Sequence, residues 1–268
     1  MKFPSLPQLL ASLGMGLLVS LSAAASPAAS HSITLGVTAG PHAQIAEAVA
    51  EVAKTKGLEV RLVEFTDGLL LNTATERGEI DANAFQHTPY LNQQVKDRGL
   101  KVQSVARTVL MPIAGYSRRV QSLDALPQGA QVAIPSDPTN SGRALKLLEA
   151  GGLLKLRDGV SFDATELDII DNPKKLRILP LEQAQLPRSL EDVDFSVINS
   201  HFALNAGLVP KRDSLLLEGQ LSEYFCLIGV GEKNLQQPWV PVLVESFRSP
   251  EVKAFIEKKF EGNIIAGW

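Results

Sequence analysis

Short apolar runs of strand character alternate with amphipathic runs of helical character along nearly the whole chain. That alternation limits the possible folds more than any other feature. Ile33-Thr34-Leu35-Gly36-Val37 suits a buried strand. Pro41 then stands where a helix can start; Ile45, Ala46, Val49, Val52 and Ala53 recur at helical spacing, and Gly57 ends the run. Leu58 to Phe65 alternates as a second strand, and 69–77 reads as a helix closed by Gly78. A very short strand is expected over Ile80-Asp81-Ala82, a helix over 90–98 closed by Gly99, and strands over 102–109 and 113–116. A new unit opens with a short helix over Ser122–Pro127. It continues with strand 131–135, helix 141–150, strand segments near 167–170 and 176–179, helix 189–192, strand 195–198, helix 202–206 and strand 227–230. A helical stretch from Pro241 to Phe260 closes the chain. This pattern predicts βαβ units, hence an α/β fold with mainly parallel sheets. Roughly 240 residues follow the leader, comfortable for two lobes, and ligands of such folds sit in a cleft at strand ends and helix starts.

The first 25 residues carry one charge, Lys2, then an apolar run from Leu9 to Leu21 and Ala23-Ala24-Ala25. This is the pattern of a secretory signal peptide, with cleavage expected after Ala25 and Ala28 or Ala29 as alternatives. The apolar run is short for a bilayer span, which takes about 20 residues. The product is expected to be soluble and periplasmic, with no Cys near the cleavage site to carry a lipid. The only Cys is Cys226, so no internal disulfide can form, and 45% hydrophobic residues must supply the core. The formal net charge is −3, and losing Lys2 makes it −4. With no basic block, nucleic acid and anionic membranes are poor partners, no stable membrane anchor is expected, and a monomer is expected.

One polar segment stands out within this pattern. Pro135-Ser136-Asp137-Pro138-Thr139-Asn140-Ser141-Gly142-Arg143 lies between the strand run Val132-Ala133-Ile134 and the helical run Ala144-Leu145-Leu147-Leu148. A strand-to-helix turn points unpaired N–H groups and the positive helix end outward, which suits an anion. Asn140 adds an amide, and the Arg143 guanidinium fits a carboxylate through two parallel hydrogen bonds. An ordinary capped helix carrying a surface Arg is the other reading of the same residues.

Enzyme signatures are mostly absent. There is no H-E-x-x-H, G-x-S-x-G, G-x-x-x-x-G-K or C-x-x-C, and Gly229-Val230-Gly231 lacks the third glycine of a dinucleotide loop. His31, His42, His87 and His201 lack metal-ligand spacing, so neither a metal nor a cofactor is expected, and structural roles are assigned to them. Asp192 and Asp194 read as a solvent-facing pair at a helix end and strand start.

Four segments carry a family resemblance: Thr38-Ala39-Gly40-Pro41-His42-Ala43-Gln44-Ile45; Gly78-Glu79-Ile80-Asp81-Ala82-Asn83-Ala84-Phe85-Gln86-His87-Thr88-Pro89-Tyr90-Leu91; Pro135 to Leu145; and Gln185-Leu186-Pro187-Arg188-Ser189-Leu190 running on to Val197-Ile198-Asn199. In order and spacing the chain resembles the MetQ/NlpA family of methionine-binding proteins of ABC importers, as an atypical member without a lipobox Cys. The resemblance implies a two-lobe periplasmic binding protein of type II character. Lobe one would take 31–117 and 223–268, and lobe two 118–222. Hinges are expected near Gly115–Ser117 and Gly219–Glu223. The resemblance further implies that Arg143 and Asn140 hold the carboxylate of an amino-acid-like ligand and that Asn199 bonds its ammonium or carboxylate. Phe85, His87 and Tyr90 would line the side-chain pocket; aromatic walls suit an apolar chain or a thioether. The implied partners are an ABC permease and its ATPase.

Departures from that family fall in the same pocket. Gly68 stands where an aromatic is usual, Ala84 where a Tyr follows D-A-N, and Phe202 where Tyr is common. Cys226 replaces the Asn of S-P-Y-A-N in Ser222-Glu223-Tyr224-Phe225-Cys226. Losing two rings is expected to open space, and losing the amide removes a polar partner, worth about 1–3 kcal/mol when a buried group is left unpaired. A bulkier or modified amino acid, a substituted thioether or a methionine-containing dipeptide is therefore expected beside methionine itself. Cys226 reads as a buried pocket-wall thiol, with a surface thiol and a nucleophile as the other readings. Two other function classes remain: an enzyme on this scaffold using Cys226 or Asp67, and a ligand receptor without transport.

Overall fold

The structure is a computed structural model that describes residues 31–66, 68–160, 162–219 and 223–268. The expected signal peptide and cleavage site, Asp67 and part of the expected Gly219–Glu223 hinge lie outside the described residues. In chain order the elements are β1 (His31–Thr38), α1 (Pro41–Thr55), β2 (Leu58–Phe65), α2 (Gly68–Arg77), β3 (Ala82–Asn83), α3 (Thr88–Arg98), β4 (Val102–Leu110), β5 (Ile113–Tyr116), β6 (Gln131–Pro135), α4 (Pro138–Ala150), β7 (Lys155–Leu156), β8 (Ile169–Asp171), β9 (Arg177–Leu181), α5 (Leu186–Ser189), β10 (Phe195–Asn199), α6 (Ser200–Asn205), α7 (Pro210–Asp213), β11 (Leu216–Leu217), β12 (Phe225–Gly231), α8 (Trp239–Phe247), α9 (Pro250–Phe260) and β13 (Ile265–Ala266).

Two sheets organise these elements. The first has six strands in the order β13-β4-β12-β3-β1-β2, and the second five in the order β11-β5-β10-β6-β9. Each is mixed rather than mainly parallel. The β1–β2, β1–β3, β6–β9 and β6–β10 pairs are parallel, as βαβ units require. The strands next to the two chain crossings pair antiparallel: β12 with β3 and β4, and β5 with β10 and β11. A strand that enters a sheet directly from the other lobe has no helical crossover to fix its direction as parallel.

The crossing itself departs from expectation. β5 belongs to the second sheet, so the chain leaves lobe one at Met111-Pro112 and not after residue 117. The expected hinge at Gly115–Ser117 lies at and just beyond the end of β5, on the second-lobe side of that crossing. The chain returns to the first sheet between β11 and β12.

Period-two burial builds the second lobe. Val132 and Ile134 of β6 and Phe195 and Val197 of β10 pack with Leu145 and Leu148 of α4 on one face. Ala133 and Ile198 pack with Leu186 and Ala203 on the other. In the first lobe Ile45, Ala46, Val49 and Ala53 of α1 join Leu35, Val37, Leu243 and Ile256 in one cluster.

Other differences have local causes. The run Pro241 to Phe260 breaks at Ser249, which caps α9 by accepting from Val252 N at 3.2 Å, with Pro250 opening that helix. Ser122–Pro127 makes turns only, with Leu126 anchored in the core; too few residues precede Pro127 to repay helix nucleation. The helix expected at 189–192 forms three residues earlier as α5, where Pro187 fixes its start, and α6 starts at Ser200. The short strand is Ala82–Asn83, and residues 166–168 form a 3₁₀ turn before β8. Among the described residues no helix is long and apolar enough to cross a membrane.

Candidate functional site

A cavity of about 620 Å³ opens where the ends of β1 and α1 face the ends of β6 and β10. Both lobes line it. Lobe one contributes Thr38, His42, Phe65, Gly68, Phe85, His87, Tyr90 and Cys226, and lobe two Asp137, Asn140, Arg143, Asn199, His201 and Phe202. Of the nine residues singled out from the sequence, eight line this cavity. Ala84 does not: it is 5% exposed and joins the lobe-one core beside Ile228, so it is corrected from a pocket residue to a core one.

The strand-to-helix turn is built differently from the anion mouth read from sequence. α4 begins at Pro138, three residues before the expected start. Asp137 is its N-cap and accepts from Asn140 N at 3.0 Å. The Asp137 carboxylate also accepts from Thr139 Oγ1, Asn140 Nδ2 and Gln183 Nε2. The chain's own carboxylate therefore occupies the positive end of α4. Burial holds the Asp137 carboxyl above the usual carboxylate range, against the pull of those hydrogen bonds.

Arg143 lies one turn further on, and its side chain is 2% exposed. Its Nε donates to Glu218 Oε1 at 2.8 Å, and its Nη2 donates to Glu218 Oε2 at 2.5 Å and to Met111 O at 3.0 Å. The edge expected to grip a ligand in two parallel bonds is thus filled by Glu218. Nη1 is the guanidinium nitrogen with no bond among the described residues. The Tyr224 ring lies 4.3 Å from the guanidinium carbon. Met111 and Glu218 sit on the two chain crossings, so Arg143 ties both to α4.

Asn140 is the hub of a polar chain between the lobes. Its Oδ1 accepts from Asn199 Nδ2 at 2.8 Å and meets His87 Nε2 at 3.0 Å. His87 caps α3 and accepts from Tyr90 N at its Nδ1 (3.1 Å), so the ring proton sits on Nε2 and is donated to Asn140. Burial, with Arg143 nearby, drives the His87 pKa down to about 3. Asn199 Oδ1 is buried with no partner among the described residues, and so is Thr38 Oγ1.

The aromatic wall is tighter than the sequence suggests. Phe85 stands edge-on to Tyr90, with centroids 6.0 Å apart. A Cβ at residue 68 would lie 2.6 Å from Phe85 Cε2. Glycine at 68 thus lets the Phe85 ring rest against the start of α2, and the place of the missing aromatic is partly filled. The expected opening of the pocket is limited at residue 68 by the Phe85 ring and does not arise at residue 84, which faces the core.

Cys226 is 6% exposed, pairs with His87 in an isolated antiparallel bridge and forms part of the cavity wall. Burial pushes its thiol up to about 12, so it is protonated at neutral pH and unsuited to nucleophilic attack. Iodoacetamide at pH 8 is expected to modify the native protein more than about 100-fold more slowly than the urea-unfolded chain. Equal rates, read by mass spectrometry, would contradict this placement.

Sequence reasoning missed the meeting of two histidines. His42 of α1 and His201 of α6 face each other across the cleft, centroids 5.5 Å apart and 63° between planes. The Phe202 ring lies 4.0 Å from His201. Burial lowers His42 well below 6.5 and His201 to about 4. No local signal links residues so far apart in sequence; only the closure of the lobes does. Glu218 was missed for the same reason.

These lowered imidazole pKa values set an acid limit. The unfolded chain binds protons from about pH 6.5 downward, while His87 in the fold stays neutral to about 3. Their contribution to stability is therefore complete above pH 6.5 and is lost as pH falls toward 3. Asp137 works in the opposite direction. Urea unfolding is expected to give a smaller free energy at pH 5.0 than at pH 7.5; equal or larger stability at pH 5.0 would contradict neutral buried imidazoles.

Residues 33–268 match the NlpA lipoprotein family. A curated relative from Salmonella typhi, D-methionine-binding lipoprotein MetQ, is 49% identical over 239 residues, covering 88% of each chain. A solved nutrient binding protein from Burkholderia cenocepacia bound to methionine is 48% identical with a TM-score of 0.86, covering 88% of this chain and all of that one. A periplasmic substrate-binding protein of an ABC transporter from Coxiella burnetii is 42% identical with a TM-score of 0.85, with the same coverage.

Proposed function

The chain belongs to the NlpA lipoprotein family, and from that membership we propose that it is the solute-binding component of an ABC importer. It captures methionine, a bulkier or modified amino acid or a methionine-containing dipeptide, and delivers it in the periplasm to a permease and its ATPase. It works as a monomer. The observation that carries this reading is the two-sided cavity: each lobe supplies part of the wall, so a ligand inside it favours the closed arrangement of the lobes. The size, about 620 Å³, falls in the range of small-molecule sites and leaves room beyond a single amino acid.

The ligand's carboxylate meets Arg143 through Nη1, the nitrogen that Glu218 and Met111 leave unbonded. Its ammonium meets the Asn199 amide oxygen, which has no partner among the described residues. Phe85, Tyr90 and Phe202 face its side chain. The hinges are the crossings at Met111-Pro112 and near Glu218. Glu218 N donates to Ile113 O at 3.1 Å, so the two crossings are bonded side by side.

The test is thermal shift of refolded, ligand-free protein with L-methionine, aromatic amino acids, substituted thioethers and methionine dipeptides, each beside its carboxamide. A ligand at 100 times its Kd adds about 2.7 kcal/mol of stability. A raised Tm with at least one free acid and none with its carboxamide is expected. No shift with any compound, or equal shifts for acid and amide, would refute the reading.

A further inference from the structure

The helix mouth without a carboxylate of its own is that of α1, not α4. Its N-cap is Gly40, which has no side chain to accept from the first turn, so the backbone N–H groups of His42 and Ala43 lack the acceptor that Asp137 gives α4. Thr38, Ala39 and His42 bring this mouth to the cavity wall. A bare helix end is not by itself a site, but here the side chains point the same way. His42 is 6% exposed, lines the cavity, and has no hydrogen-bond partner among the described residues. His201 reaches it from the opposite lobe, also without a hydrogen bond among the described residues. Thr38 Oγ1 is buried beside them without a partner.

We propose that the first turn of α1 with His42, His201 and Thr38 forms a second polar subsite, which receives a negatively polarised oxygen group carried by the ligand in addition to its carboxylate. This rests on the importer reading above and narrows its substrate class to amino-acid derivatives with a further carbonyl, sulfinyl, sulfonyl or carboxylate oxygen. The chemistry follows from the donors. A neutral imidazole presents one N–H, and with neither ring nitrogen hydrogen-bonded among the described residues its tautomer can adjust to an acceptor. Burial keeps both rings neutral, so they donate hydrogen bonds without adding charge. The helix end contributes fixed positive potential at the same place. A ligand oxygen that accepts from both His42 and His201, whose rings already meet edge to face, also bridges α1 to α6, so its capture and the closing of the cleft are one event.

The experiment is calorimetric titration of refolded, ligand-free protein with three probes: L-methionine, L-methionine sulfone and N-formyl-L-methionine. At least one oxygen-bearing probe is expected to bind ten or more times more tightly than L-methionine. His201→Leu is expected to cut that ratio below twofold, and His201→Gln, which keeps an N–H donor, to retain more of it. L-methionine binding as tightly as both other probes, or a ratio that survives in His201→Leu, or an equal loss in the Leu and Gln variants, would overturn the proposal. Binding of L-methionine alone leaves the importer reading standing while this subsite falls; binding of none of the three overturns the subsite too, and the importer reading then stands or falls on the wider thermal-shift panel.

Discussion

Arg143→Leu is expected to lower stability by about 3–5 kcal/mol and to abolish ligand binding, the stability loss being the measured cost range for breaking a buried ion pair. Arg143 holds both chain crossings, and its removal strands Glu218, whose side chain is 14% exposed, without its guanidinium, together with Met111 O. A stability loss alone would not show a role in binding. The double variant Arg143→Met with Glu218→Met separates the two, because replacing both members of such a pair by apolar groups is often close to neutral. Urea unfolding of the double variant is expected to return most of the lost free energy while titration still shows no binding. If the double variant bound ligand as the parent does, the Arg143 contact with the ligand would be wrong and the residue would be a hinge strut only.

Asn140→Leu is expected to cost several kcal/mol and to loosen the contact between the lobes. The replacement leaves the His87 Nε2 proton and the Asn199 amide without an acceptor, at about 1–3 kcal/mol for each buried group. The His87–Asn140 bond joins α3 of one lobe to α4 of the other. Its loss should therefore raise the radius of gyration in solution scattering as well as lower the unfolding free energy, and weaken ligand binding at least tenfold. A variant that loses stability with unchanged scattering and unchanged affinity would confine Asn140 to capping α4.

Much of the architecture is legible from local pattern, and the failures share a cause. Leu58–Phe65 and the helix ended by Gly99 follow from alternation and from one glycine at positive φ. Turn chemistry marks the cavity residues Asn140 and Arg143, and the family resemblance marks those two together with Phe85, His87 and Asn199. What local pattern does not carry is who meets whom. Asp137 and Glu218 neutralise the very groups that sequence assigned to a ligand, and Glu218 does so from 75 residues away. The His42–His201 pair is invisible for the same reason. The direction of β5 and β12 depends on where the chain changes lobe, and that depends on Met111-Pro112, which has no more turn character than Gly115–Ser117. Ala84 shows the remaining limit: just past the end of β3 the chain turns this small residue into the lobe-one core and its neighbour Phe85 to the cavity, and no local pattern marks that turn.

The central claim is that the cleft holds an amino-acid-like acid with its carboxylate at Arg143. Crystallographic density in the cleft of protein purified without refolding, together with the mass of the extracted compound, tests it most directly. The account predicts a compound bearing a free carboxylate, with one oxygen within hydrogen-bonding distance of Arg143 Nη1 and its side chain against Phe85 and Tyr90. A bound compound with no carboxylate, or with its carboxylate out of reach of Arg143, would contradict it.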